Sequence, residues 1–256
     1  MKRSVQRRPV TCFFEQDPDM ALMRRVTAEG IGTLLLMLAA TGAGLTAQHL
    51  FRDSPALGLI ASAGVIAGAL VGLIVAFGSV SGGHFNPLIT GLQWLAGQRK
   101  LDCTLAYVAA QLGGSIVGAT LASHVFGSGA RIAAPVAASW SLIRSEVIAS
   151  AGLMVVVFGR ARSGRTETGP FAVGAWLASA IIATPSTSYA NPAIALGAVF
   201  ASGPVALKVS AALLYVPAEI AGALLALLVV AITHPLHLAG GRSAAPRGVA
   251  ATGAMR

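Results

Sequence analysis

Ser81-Gly82-Gly83-His84-Phe85-Asn86-Pro87-Leu88 in the first half of the chain and Ser188-Tyr189-Ala190-Asn191-Pro192-Ala193 in the second carry one device twice. In each, Asn is a favoured helix N-cap, and the Pro after it fits the first helical position, where its missing N–H had no partner to lose. A cap made with the Asn carbonyl oxygen leaves the side-chain NH₂ to donate elsewhere. The first-turn N–H groups add a partial positive charge of about half an electron. Asn-Pro alone marks an ordinary turn, so the surroundings of the pair decide its meaning.

Those surroundings are apolar. The 256 residues are 55% hydrophobic and 11% charged, with a mean hydropathy of +0.75, whereas soluble domains carry roughly a quarter charged residues. Apolar runs at 31–45, 57–80, 103–126, 141–159, 169–185 and 209–232 predict six spans, the fifth short and ending at Pro185. The segments 84–97 and 191–206 also open on Asn-Pro but are too short to cross. They are expected to be re-entrant half-helices, tolerated at depth because they are buried in protein or line a water-filled cavity.

Charge tests this topology independently. Of the 18 Lys and Arg, all but Arg52, Arg131, Arg144 and Lys208 fall on the side of the N-terminus. The positive-inside rule then predicts a multi-pass protein, of the inner (plasma) membrane, with both termini cytoplasmic and one Asn-Pro loop on each side. The formal charge of +9 reads as topology, and no nucleic-acid partner is expected.

Three landmarks recur in the same order. Thr27-Ala28-Glu29-Gly30 matches Arg144-Ser145-Glu146-Val147, the Asn-Pro phrases match, and Tyr107-Val108-Ala109-Ala110-Gln111 matches Tyr215-Val216-Pro217-Ala218-Glu219. Three spans per half is an odd number, so the halves run in opposite orientations, as in inverted-repeat transport proteins with a site near the bilayer midplane. The expected fold is an all-α membrane protein: six transmembrane helices plus two re-entrant half-helices in an inverted repeat. The expected domains are a cytoplasmic tail at 1–23, a channel domain at 24–235 with repeats 24–126 and 141–235, and a cytoplasmic tail at 236–256. Gly64, Gly68 and Gly72, like Gly114 and Gly118, form small-xxx-small ridges that predict close helix contacts.

With both Asn-Pro boxes, the Ala28-Glu29 opening and the Ala106–Gln111 run, residues 24–235 resemble the major intrinsic protein family, the aquaporins and aquaglyceroporins. The resemblance implies a six-helix bundle with a pore in each protomer of a homotetramer, embedded in membrane lipid. Asn86 and Asn191 would meet at mid-membrane and donate to a passing small neutral solute. Glu29 and Glu146 would brace the re-entrant loops, and His84 would line the inner vestibule, where it either contacts solute or merely fixes its loop.

Two positions depart from the family pattern. Leu88 stands where Ala is usual and either shifts the asparagines or is absorbed locally, the outcome expected here. Ile194 stands where an Arg usually follows the second box. Carried over by spacing, the outer filter would be Ile66, Ser179 or Ala180, Ser188 and Ile194. Losing the Arg removes a formal cation and up to five donors, so the expected substrates are metalloid acids, polyols or urea-like amides, with water also considered. The alternatives are a water-selective aquaporin and a non-conducting scaffold or sensor.

No Ser-His-Asp set, phosphate-cradling loop or paired catalytic carboxylates argues for an enzyme. Cys12 and Cys103 lack metal-ligand spacing, and no cofactor or metal is expected. Glu219 replaces the Gln of the first repeat inside a span, where an ionisable group is expensive. Protonation, pairing and a polar crevice all remain open for it.

Overall fold

The computed structural model describes residues 20–127, 139–163 and 166–234. The expectations for most of the tail at 1–23, for the tail at 236–256, and for Cys12 and Arg131 fall outside those residues.

Among the described residues the regular elements are helices. These are α1 (Leu22–Leu50), α2 (Pro55–Ser81), α3 (Pro87–Leu95), α4 (Leu101–Val125), α5 (Trp140–Arg162), α6 (Gly169–Ala183), α7 (Pro192–Gly197) and α8 (Val209–Thr233). Helices α1, α2, α4, α5 and α8 are long and apolar enough to cross a membrane. Helix α6 has 15 residues and rises about 22 Å, short of the roughly 30 Å hydrocarbon core.

Local chemistry sets the helix ends. Pro55 opens α2, and Gly82 closes it in the left-handed region at φ 93°, the conformation glycine adopts without a Cβ penalty. Ser139 caps α5 through its hydroxyl, which accepts from Leu142 N–H. The two half-helices differ from expectation in one respect. Helix α3 is a single α-helix, whereas α7 stops at Gly197 and continues as a 3₁₀ turn to Phe200. A second 3₁₀ turn follows at Gly203–Val205. Pro204 and the positive φ of Gly203 prevent the segment 191–206 from forming one continuous helix.

The inverted repeat is visible in the packing. Helix α1 lies against α4, and α5 against α8. A Cβ on Gly114 would sit 2.2 Å from the Gly30 carbonyl oxygen, and one on Gly222 2.3 Å from that of Val147. Gly30 and Val147 each follow the motif glutamate of their half, so the two contacts are repeat equivalents. Gly118 repeats the approach one turn on, against the Leu34 carbonyl. The ridge Gly64, Gly68 and Gly72 does not behave this way. All three are exposed on α2, and an added Cβ would meet nothing within 4 Å. The expected close contact there is therefore absent inside the protomer.

Gly114→Val and Gly222→Val are accordingly expected to push paired helices apart, at a cost of about 1–3 kcal/mol or more each. The yield of monodisperse protein after detergent extraction should fall. Equal melting curves for Gly114→Val and the parent would show that this crossing is not close.

Candidate pore and its supports

The asparagines do what their capping chemistry allows. Asn86 Oδ1 accepts from Leu88 N–H at 2.9 Å, and Asn191 Oδ1 accepts from Ala193 N–H at 3.0 Å. Each Nδ2 then reaches across the repeat boundary. Asn86 donates to the Ala190 carbonyl at 2.9 Å, and Asn191 to the Phe85 carbonyl at 2.8 Å. An amide nitrogen carries two hydrogens, so each side chain keeps one N–H for the cavity that both line. With both carbonyl oxygens used as caps, the pair presents donors there. Leu88 is 5% exposed within the core and its backbone completes the Asn86 cap, so its larger side chain is absorbed.

Glu29 and Glu146 hold the two loops in matched fashion. Glu29 Oε1 accepts from Ser81 Oγ at 2.6 Å and His84 N–H at 3.0 Å, and Oε2 accepts from Phe85 N–H at 2.7 Å and Gln111 Nε2 at 2.8 Å. Glu146 accepts from Tyr189 N–H at 3.1 Å and Ala190 N–H at 2.8 Å, and the Ser186 side chain faces it. Both carboxyls are fully buried. The loops need this support. Phe85, Thr187, Ser188 and Ala190 all have positive φ without being glycine, a conformation costing of order 1–3 kcal/mol each.

The cavity has a volume of about 100 Å³. Its wall is mostly aliphatic, with Leu36, Leu70, Ile74, Ile89, Leu153 and Val157 among its residues. Asn86, Asn191, His84, Ser188, Thr187 and Tyr189 bring the polar groups. A vestibule of about 380 Å³, lined in part by Gln48, Phe51 and Arg52, shares Ala40, Ile66, Ile181, Thr187 and Val205 with it. Those five shared residues form the neck between mouth and pore, and none carries a charge. Ile194 and Ser188 lie on the pore side of the neck, and the Ser188 hydroxyl has no partner within the protein.

The structure thus brings together Asn86, Asn191, Ile66, Ser188, Ile194 and His84. It does not bring Ser179 or Ala180 to the cavity. Ser179 is exposed and turns its hydroxyl back to the Ala175 carbonyl, and Ala180 is buried but does not line the wall. On α6 the cavity is lined by Val173, Leu177 and Ile181, the last one turn beyond Leu177 on the same face. The spacing misleads because α6 ends at Ala183 and a turn closed by Thr187 N–H to the Thr184 carbonyl takes up the chain before the box. Thr187 and Val205 were also missed, since nothing local in the sequence marks either as pore-facing.

His84 serves its loop and the wall together. Its Nδ1 lies 2.9 Å from Thr90 Oγ1, and its ring meets Tyr107 edge-on at 5.6 Å. Arg25 and Arg99 both lie against the same Tyr107 ring, which places two cations behind the His84 end of the cavity.

Two capped half-helices, locked to each other inside an inverted bundle around a narrow cavity, define a membrane channel. A profile for the family described as Major intrinsic protein matches residues 18–201, and the chain belongs to that family. It is 36% identical over 208 residues to Aquaglyceroporin AqpS of Rhizobium meliloti, covering 80% of this chain and 88% of the relative. It is 32% identical over 224 residues to Aquaporin NIP6-1 of Arabidopsis thaliana, covering 85% and 70%. It is also 32% identical over 204 residues to Probable aquaporin TIP2-2 of Oryza sativa subsp. japonica, covering 74% and 80%. The protein is an integral membrane channel of this family and not an enzyme.

Proposed function

We propose that the channel passes small uncharged solutes larger than water, such as neutral metalloid acids, polyols and urea-like amides, down their gradients. The observation that carries this reading is the neck of Ala40, Ile66, Ile181, Thr187 and Val205 with Ile194 behind it. A solute there meets aliphatic wall and a few hydroxyls rather than a guanidinium. Shedding hydration is cheapest for molecules that keep no formal charge, and the single free N–H of each asparagine then replaces part of the lost water. A relative named an aquaglyceroporin supports the same preference. The exposed Gly64, Gly68 and Gly72 ridge supports a homotetramer in which α2 meets a neighbouring protomer. The distribution of Lys and Arg supports an inner-membrane location with both termini cytoplasmic.

Stopped-flow light scattering on vesicles holding the purified protein tests the reading against water, glycerol, urea and a neutral metalloid acid. Downhill solute uptake that ignores an imposed pH gradient or potential is expected. Water flow without solute uptake would point to a water-selective channel, and no flow of either kind to a non-conducting scaffold.

A further inference from the structure

We infer that Glu219 carries a proton, which it donates to Glu146, and that this carboxyl–carboxyl bond positions the second pore asparagine. The inference begins with the repeat. In the first half, the Gln111 amide donates to Glu29 at 2.8 Å and completes a set of four donors around that carboxylate. In the second half, Ser186, Tyr189 N–H and Ala190 N–H stand where Ser81, His84 N–H and Phe85 N–H stand in the first. The fourth place belongs to Glu219, whose buried carboxyl faces that of Glu146. An ionised carboxylate has nothing to donate, so the Gln111 role requires a hydrogen on Glu219.

The remaining contacts assign that hydrogen to one atom. Glu219 is completely buried, and its Oε1 accepts from Asn191 N–H at 3.0 Å. Its Oε2 finds no protein donor, and the facing Glu146 carboxyl already accepts from Tyr189 and Ala190 N–H. The other titratable groups facing the pair are the phenols Tyr189 and Tyr215, which bring no positive charge. Two unscreened carboxylates at this depth would be far costlier than one shared proton. Glu146, with more donors, keeps the negative charge, and Glu219 Oε2 keeps the hydrogen. Glu219 does not line the cavity. It acts through the Asn191 backbone and the Glu146-held loop, and is therefore a positioning residue.

The positioning role rests on the pore reading above, but the proton can be observed without any flux. Infrared spectra of the reconstituted parent at neutral pH should show the carbonyl stretch of a protonated carboxylic acid, shifted in heavy water. Glu219→Gln, which supplies an amide donor as Gln111 does, should remove that band. A parent without the band, or a Glu219→Gln variant that keeps it, overturns the inference whether or not the protein conducts. In the flux arm, Glu219→Leu should lower solute uptake per channel about tenfold, and Glu219→Gln should rescue it. A Gln variant as impaired as the Leu variant would overturn the positioning role. If the Leu variant fails to fold, the infrared comparison of parent and Gln variant still decides the matter.

Discussion

Glu29→Leu is expected to leave no recoverable channel. The carboxylate accepts four hydrogen bonds, two of them from His84 and Phe85 backbone N–H groups that have been turned inward to meet it. A bond to a charged acceptor contributes about 1.5–3 kcal/mol, and each buried donor left without a partner costs about 1–3 kcal/mol. Even with heavy non-additivity the loss is several kcal/mol, against a total stability of about 5–15 kcal/mol for a typical domain. Leucine also cannot hold Phe85 at its φ of 47°, so the Phe85 carbonyl that anchors Asn191 would drift. The measurement is thermal unfolding of detergent-extracted protein by tryptophan fluorescence, with Glu29→Gln beside it. Gln should fall between the two, because its NH₂ cannot accept from either N–H. A Leu variant melting within a few degrees of the parent would show that the loop is held by packing instead.

Ile194→Arg is expected to lower the permeation of solutes larger than water relative to that of water. Ile194 lies just inside an uncharged neck and lines the same cavity as Ser188, whose hydroxyl has no partner of its own. A guanidinium there fills volume, brings five donors and adds a fixed charge. An increase of only about 1.4 kcal/mol in the barrier lowers a flux about tenfold, and a narrowed neck in a cavity of about 100 Å³ should exceed that for glycerol or urea. Water should be much less affected. The check is the solute-to-water permeability ratio of parent and variant in the same vesicles. An unchanged ratio would remove position 194 from the selectivity filter.

What could be read from the residues, and what could not, divides along a physical line. The Asn-Pro boxes were legible because capping is local: Asn86 and Asn191 cap the half-helices that Pro87 and Pro192 begin. The bracing role of the glutamates came from the family resemblance alone, and its physical reason, loop N–H groups turned toward a buried acceptor, is visible only in the fold. The cavity-lining residue of α6 was not legible, since whether Ser179, Ala180 or Ile181 faces the cavity depends on how one turn at 184–187 consumes chain. The glycine ridges were half legible. The same spacing faces a packed backbone at Gly114 and Gly118 and open space at Gly64, Gly68 and Gly72. Spacing reports that a helix face is flat, and only the fold decides what lies opposite it.

The crossed asparagine bonds also bear on how the chain is made. Asn86 leaves the ribosome 104 residues ahead of the Ala190 carbonyl that holds its side chain, and Phe85 waits 106 residues for Asn191. The first loop can be capped and braced by Glu29 as soon as its own repeat is inserted, yet its innermost polar groups have no protein partner until the last third of the chain follows. Neither half can finish its share of the pore alone. Completing the pore therefore requires the docking of the two loops, each supplying the anchor that the other lacks.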